Sequence, residues 1–314
     1  MIGKDIKFAK KLLEEGKLVA IPTETVYGLA ANALDIQAVI QIFEVKNRPT
    51  FDPLIVHTHS LEKIKDLVLN IPKKAILLAE KLMPAPLTLL LPKKNIIPDL
   101  VTSGLPDVAI RIPNHQIALE LLKNLDFPLA APSANPFGYV SPTSAIHVEQ
   151  QLGHKIPYIL DGGNCEIGIE STIIGFQTDI PTVYRMGGIS IEIIEKIIGK
   201  VQIQTHSSSN PKAAGMLESH YAPKKQLILG NIEEMLDIYK DHKLGILSFQ
   251  KDFQQKNQII LSKKGNLAQA AQHLFAALRT FDSFDIDFIL AELVPDLDLG
   301  RAINDRLKRA NWKK

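Results

Sequence analysis

The chain has 314 residues, 46% of them apolar and 22% charged, enough to bury one large core or two modest ones. Its net charge of +2 is too mild for a nucleic-acid scaffold, and its single cysteine, Cys165, excludes an intrachain disulfide and a cysteine-rich zinc site. No apolar run is long enough to cross a bilayer and Met1–Asp5 opens no signal-peptide core, so a soluble cytoplasmic protein without a membrane partner is expected.

In chain order, Lys7–Glu15 places Phe8, Leu12 and Leu13 at helical spacing and stops at Gly16. Leu18–Ile21 reads as a buried strand running into Pro22. Ile36–Val45 carries Ile36, Val39, Ile40 and Phe43 on one helical face and ends at Lys46-Asn47-Arg48, before Pro49. A strand at Leu54–Val56, a helix at Ala75–Leu82 and a strand at Leu87–Leu91 follow. In the strand Asp107–Pro113, alternation sets Val108, Ile110 and Ile112 against Asp107, Ala109 and Arg111. Helices are expected at Gln116–Lys123, with Asn114 as cap, and at Ser144–Leu152. Strands are expected at Tyr158–Leu160, Thr172–Gly175 and Thr182–Tyr184. The mixture predicts an α/β domain over residues 1–205 whose sheet need not be all parallel.

Residues 206–225 have loop composition, the signature of a linker or a lid. The pattern then restarts as a smaller α/β domain over 226–314. Its strands fall at Leu227–Leu229, Leu244–Phe249, Gln258–Leu261 and Phe288–Leu293. Asn231-Ile232-Glu233-Glu234 opens a helix, Leu267–Thr280 is amphipathic, and Leu299–Arg309 closes as a basic helix.

Basic and hydroxyl side chains gather where proline turns the chain: Pro22-Thr23-Glu24-Thr25-Val26-Tyr27-Gly28, Lys46-Asn47-Arg48-Pro49 and Ala131-Pro132-Ser133-Ala134-Asn135-Pro136. Such donors suit phosphate oxygens, so a nucleotide site leads. Each feature also has a plainer reading. Arg111 opposite an apolar row is ordinarily solvated, Lys46 and Arg48 suit a helix C-terminus, and Ser133 and Asn135 suit turns. Arg185 precedes Gly187-Gly188, where backbone can approach a ligand. His57 and His59 lie two apart without a third ligand placed, which favours a structural or substrate-contacting role over zinc; Cys165 reads as incidental. No Walker, dinucleotide or zinc-protease motif is present.

Taken in order, these segments resemble the YrdC-type threonylcarbamoyl-AMP synthase family in its longer, two-domain form. The carriers continue with Pro53-Leu54-Ile55-Val56-His57, Val108-Ala109-Ile110-Arg111, Ser141-Pro142-Thr143, Glu170-Ser171-Thr172-Ile173 and Tyr184-Arg185-Met186-Gly187. Gly215-Met216, Ser219-His220-Tyr221-Ala222-Pro223 and Gly300-Arg301-Ala302-Ile303-Asn304-Asp305-Arg306 complete them. The resemblance implies a twisted mixed-sheet domain followed by a linker and a smaller Rossmann-like domain. It implies synthesis of threonylcarbamoyl-adenylate and pyrophosphate from L-threonine, bicarbonate and ATP with Mg²⁺. A downstream tRNA threonylcarbamoyl-transferase is the expected partner, with a weak tRNA contact.

Carried over by motif, Thr25, His57, Arg111, Ala131 and Ser171 are expected on the threonine side. Lys46, Arg48, Asp52, Asp107, Ser133, Asn135, Ser141 and Arg185 are expected on the ATP side, with Lys46 and Arg48 catalytic and the metal ligands unassigned. Asp52 stands where relatives often have Asn, and Asp107 where Thr is common. His220 and Tyr221 are expected in a lid formed by His206–Lys225. The competing readings are a carbamoyl-transfer module of the hydrogenase-maturation type, which requires cysteine-rich zinc motifs, and an RNA-binding protein with a local basic groove.

Overall fold

The computed structural model describes residues 1–205, 212–216 and 221–311. The elements up to Ile203 are β1 (Ile2–Gly3), α1 (Ile6–Glu14), β2 (Val19–Ile21), β3 (Gly28–Asn32), α2 (Ile36–Lys46), β4 (Ile55–His57), α3 (Leu61–Leu67), α4 (Lys73–Leu82), β5 (Leu87–Pro92), α5 (Asp99–Thr102), β6 (Asp107–Arg111), α6 (Gln116–Lys123), β7 (Leu129–Ala130), α7 (Ala145–Leu152), β8 (Tyr158–Leu160), β9 (Thr172–Gly175), β10 (Thr182–Arg185), α8 (Ile191–Ile198) and β11 (Gln202–Ile203). Among the described residues these strands form one mixed sheet in the order β1-β8-β2-β3-β7-β4-β6-β5-β9-β10-β11. β4 and β6 run parallel, with His57 opposite Arg111; β5 and β6 run antiparallel, with Thr88 opposite Arg111.

The second unit comprises β12 (Gln226–Leu229), α9 (Ile232–Ile238), β13 (Leu244–Ser248), β14 (Gln258–Ile260), α10 (Leu267–Phe281), β15 (Phe288–Ala291) and α11 (Gly300–Ala310). Its four strands pair in parallel in the order β12-β15-β13-β14. The architecture is therefore the expected mixed α/β sheet with a smaller, parallel α/β domain behind it.

Local chemistry explains the boundaries that matter. Asp35 caps α2 by accepting from Gln37 N and Ala38 N, and Asn47 ends it in the left-handed conformation at φ 50°. That reversal lets Arg48 N bond Phe43 O at 2.9 Å and separates Lys46, still helical, from Arg48, already in the loop. α6 starts at Gln116 with His115 as its N-cap and no side-chain capping bond, so Asn114 does not play the expected role. α3, α5, α8, β3 and the shortest strands are not among the expected elements; α5 and the two-residue strands are too short to show a period, whereas α8 does carry one, with Ile191, Ile194 and Ile198 on its buried face.

Arg111 is the main departure from the alternation argument, since it is buried. Its face of the sheet is not open to water: Ala213, Ala214 and Met216 pack there on Ile55, Leu90, Ala109 and Ile173. α11 likewise is more than a basic surface helix, because Arg306 and Arg309 are buried within it. The two units share apolar packing, in which Val26, Val140 and Ile169 join Tyr221 and Phe275. Gly168 allows the closest approach; a Cβ there would lie 2.5 Å from the Gln272 Cα.

Candidate active site

Strand ends from the middle of the large sheet converge on a partly open cavity. It is lined by Thr25, Arg48, His57, Arg111, Ala131, Ser133, Glu170, Ser171, Arg185, Gly215 and Tyr221, among others. His57, Arg111 and Arg185 close β4, β6 and β10, whereas Gly28 opens β3 and Ser171 precedes β9, so the mixed sheet offers both kinds of strand end and the loops between them supply the remaining polar groups.

The β2–β3 connection is ordered by Thr23. Its Oγ1 donates to Val26 O at 2.6 Å and accepts from Thr25 N and Val26 N, both at 3.2 Å. This presents Thr25 and Glu24 to Arg111, whose Nη1 donates to Thr25 Oγ1 at 2.9 Å and whose Nη2 donates to Glu24 Oε1 at 2.5 Å. Beside it, His57 Nδ1 lies 3.1 Å from Ile55 O, so this nitrogen carries the proton and Nε2 is an acceptor. Burial, then the Arg111 charge, lowers the His57 pKa to about 3, so the ring is neutral at physiological pH.

Opposite this group, Ser171 Oγ pairs with Thr88 Oγ1 at 2.7 Å and accepts from Arg185 Nη2 at 2.9 Å. Arg185 Nε also donates to Ser171 O at 3.0 Å; burial pulls its pKa down to about 10, leaving it charged at neutral pH. Gly187 is required here by space. A Cβ on it would sit 2.3 Å from Glu170 O and 2.4 Å from the Ser171 carbonyl carbon.

The third wall carries the densest positive charge. Arg48 is buried, donates to Asp52 Oδ2 at 2.9 Å and to Pro53 O at 2.8 Å, and lies 5.9 Å from the Phe137 ring centroid. The Lys46 ammonium is buried immediately behind Ser133, with the carbonyls of Ser133 and Asn135 each 2.5 Å away. Burial, then Arg48, holds its pKa well below the usual lysine value. Two of its three N–H groups are thereby used, and no carboxylate pairs with it among the described residues.

The expected threonine-side residues Thr25, His57, Arg111, Ala131 and Ser171 all line one cavity, as do Arg48, Ser133, Arg185 and Tyr221. Lys46, Asp52, Asn135 and Ser141 stand behind its wall: Asp52 holds Arg48, Asn135 Nδ2 donates to Pro136 O and Tyr139 O, and Ser141 Oγ donates to Glu170 Oε1 at 2.6 Å. Asp107 is not brought into the cavity. It opens β6, whose far end is Arg111, about 13 Å away at ~3.3 Å per residue, and it accepts from Gln177 Nε2 at 3.0 Å. His220 and the rest of 206–211 and 217–220 lie outside the described residues, so the lid expectation bears here only on Tyr221. His59 lies apart, against Lys63 and Phe127, and no metal-holding cluster occurs among the described residues. Cys165 is buried, which pushes its thiol up and away from a nucleophilic role.

Sequence reasoning missed Glu24 and Glu170 as site residues. Both lie inside the motifs, but nothing local to either marks it, because the cations that pair with them, Arg111 and Arg306, come from distant segments.

Comparison with known proteins gives the family and bears out the fold. The Sua5/YciO/YrdC family profile, described as telomere recombination, matches residues 11–187, and the profile of the threonylcarbamoyl-AMP synthase C-terminal domain matches residues 189–311. The chain belongs to the two-domain threonylcarbamoyl-AMP synthase family. It is 42% identical to the threonylcarbamoyl-AMP synthase of Pyrococcus abyssi, over 98% of this chain and 94% of that one. It is 40% identical to the synthase of Bacillus subtilis, over 96% and 91%. The crystal structure of Pyrococcus abyssi Sua5 complexed with L-threonine superposes with a TM-score of 0.94 at 41% identity, covering 99% of this chain and 97% of that chain.

Proposed function

We propose that this cavity forms threonylcarbamoyl-AMP and pyrophosphate from L-threonine, bicarbonate and ATP. Synthesis of threonylcarbamoyl-AMP is the activity by which the family is named; the assignment of substrates to walls is read from the site. The observation that carries it is the convergence of Arg48, Arg111 and Arg185 on one cavity, with Lys46 directly behind it. Three separated buried cations suit two anionic substrates held side by side.

Arg111 faces the amino-acid carboxylate, for which a guanidinium fork is the matching shape. His57 Nε2 accepts from the threonine hydroxyl, and the Thr88–Ser171 pair completes that end. The threonine amine attacks the bicarbonate carbon and water leaves, giving a carbamate. A carbamate oxygen then attacks the α-phosphorus and pyrophosphate departs. No protein nucleophile is needed, only alignment and neutralisation of the charge growing on the leaving group. Lys46, through its third N–H, and Arg48 supply that neutralisation.

Magnesium, brought with the triphosphate, would help to neutralise the charge growing on the leaving group. Asp52, whose Oδ1 is buried without a hydrogen-bond partner beside Arg48, is the carboxylate on the ATP side that would fit it; Glu24 Oε2 is likewise unpartnered but lies with Arg111 on the threonine side. The adenylate would pass to a transferase acting on tRNA adenosine, in the cytoplasm. Among the described residues, no helix is long and apolar enough to cross a membrane.

Incubation with ATP, Mg²⁺, L-threonine and labelled bicarbonate, read by mass spectrometry and pyrophosphate release, tests the reading. A threonine-dependent adenylate carrying the label is expected; ATP and threonine binding with no such product refutes it.

A further inference from the structure

The second domain grips the cavity wall through two buried arginines. Arg306 of α11 is fully buried. Its Nε donates to Glu170 Oε2 at 3.1 Å, its Nη1 donates to Asp305 Oδ2 at 2.9 Å, and its guanidinium carbon lies 5.1 Å from the Tyr221 ring centroid. Glu170 and Tyr221 both line the cavity. The remaining oxygen of Glu170 accepts from Ser141 Oγ at 2.6 Å. Arg279 of α10 takes the same segment from its backbone, with Nε donating to Ser141 O at 3.2 Å and Nη2 to Val140 O at 2.5 Å. Asp305 also accepts from Arg309 Nε at 3.0 Å, and Arg309 Nη2 donates to Thr205 O at 2.7 Å, so the network is tied to the first domain at two points.

Taking the cavity as the adenylation site, we propose that Arg306 is a positioning residue for the reaction, supplied to the first domain by the second. A buried carboxylate in the wall of a site for two anions is repulsive unless a cation offsets it. Arg306 provides that offset, holds the second oxygen of Glu170 while the first accepts from the Ser141 hydroxyl, and lies over the Tyr221 ring, which also stacks with Phe275 at 5.4 Å. A pair serving domain docking alone would have no reason to end on two cavity-lining side chains.

The test uses the full chain with Arg306→Met, Arg306→Lys, Glu170→Gln and the double variant Arg306→Met/Glu170→Gln. Steady-state pyrophosphate release is measured against ATP and against threonine, with thermal unfolding of each protein. Arg306→Met is expected to raise KM for ATP about tenfold or more while kcat changes less, because an unpaired carboxylate now faces the triphosphate. Adding Glu170→Gln should bring KM back to within about threefold of wild type, a non-additive recovery. Arg306→Lys should lie between the two.

A KM for ATP unchanged in Arg306→Met, or additive effects in the double variant, overturns the positioning role. A lower unfolding temperature with kcat falling in step and KM fixed does the same, leaving a purely structural pair. If Arg306→Met gives no folded protein, Arg306→Lys and the double variant decide by the same criteria. Wild-type turnover separates the two levels: no adenylate from wild type refutes the site reading and the positioning role with it, whereas an active wild type matched by its variants refutes the positioning role alone.

Discussion

Replacing Lys46 by methionine separates stability from chemistry. The side chain is buried and its ammonium has two carbonyl partners at 2.5 Å. Losing two hydrogen bonds from a charged donor costs about 1.5–3 kcal/mol each. Against that, removing a buried cation returns a desolvation penalty of several kcal/mol, and methionine fills most of the space. The two terms nearly cancel, so the expected stability change is within about 2 kcal/mol. At about 2–4 °C per kcal/mol for domains of this size, Tm moves by less than about 8 °C.

Catalysis has no such compensation. Removing one preorganised donor from developing negative charge costs about 10²–10³ in rate. The assay is initial pyrophosphate release at saturating ATP, threonine and bicarbonate, with a thermal scan of the same preparation. A rate within threefold of wild type refutes the role given to Lys46; a Tm drop beyond about 15 °C with no folded protein at assay temperature refutes the cancellation. Because burial lowers the Lys46 pKa, the folded state binds fewer protons than the unfolded state between that depressed value and 10.5. Wild-type stability therefore gains on the variant as pH rises toward 10.5, and a constant difference would show that Lys46 is not depressed.

Three further outcomes are expected. His57 is held at about 3 against an ordinary 6.5, so protonation of the unfolded chain should cost wild type up to about 5 kcal/mol of stability as pH falls from 6.5 toward 3; His57→Asn should flatten that slope in urea titrations, and parallel curves would contradict it. Gly187→Ala forces a Cβ to within 2.3 Å of Glu170 O, so a loss of about 3 kcal/mol or more is expected together with a raised KM for threonine; unchanged Tm and KM would mean that the backbone yields freely. Arg111→Lys keeps the charge but loses the fork that reaches both Thr25 and Glu24, so KM for threonine should rise about tenfold while KM for ATP barely moves. Equal rises for both substrates would detach Arg111 from the threonine end.

Much of the site was legible before the fold. Thr25, Ser133, Ser171 and Arg185 stand near a proline or glycine that breaks a regular element, and such breaks fall at strand ends, where α/β sheets bind ligands; His57 carries no such mark. The capped helix ending at Asn47 likewise placed Lys46 and Arg48 at a turn. Asp107 went astray because motif position does not say which end of a strand faces the ligand, and β6 puts it at the end away from Arg111.

Local patterning by itself determined the α/β class, the two-part organisation and most long elements, because periodicity and capping act over a few neighbouring residues. It also pointed to the proline-turned segments whose Thr25, Arg48 and Ser133 line the cavity, while leaving a plainer reading open for each. Only the tertiary structure decided that Arg111 is buried, since the cover over its strand face comes from residues 213–216, about a hundred positions later in the chain. Only it showed that Glu170 and Ser141 are held by Arg306 and Arg279 from the second domain. Charge pairs between distant segments leave no period and no spacing in the chain. They arise when folding brings ions together in a low-dielectric interior, where a charge persists only with partners, Glu170 for Arg306 and backbone carbonyls for Lys46.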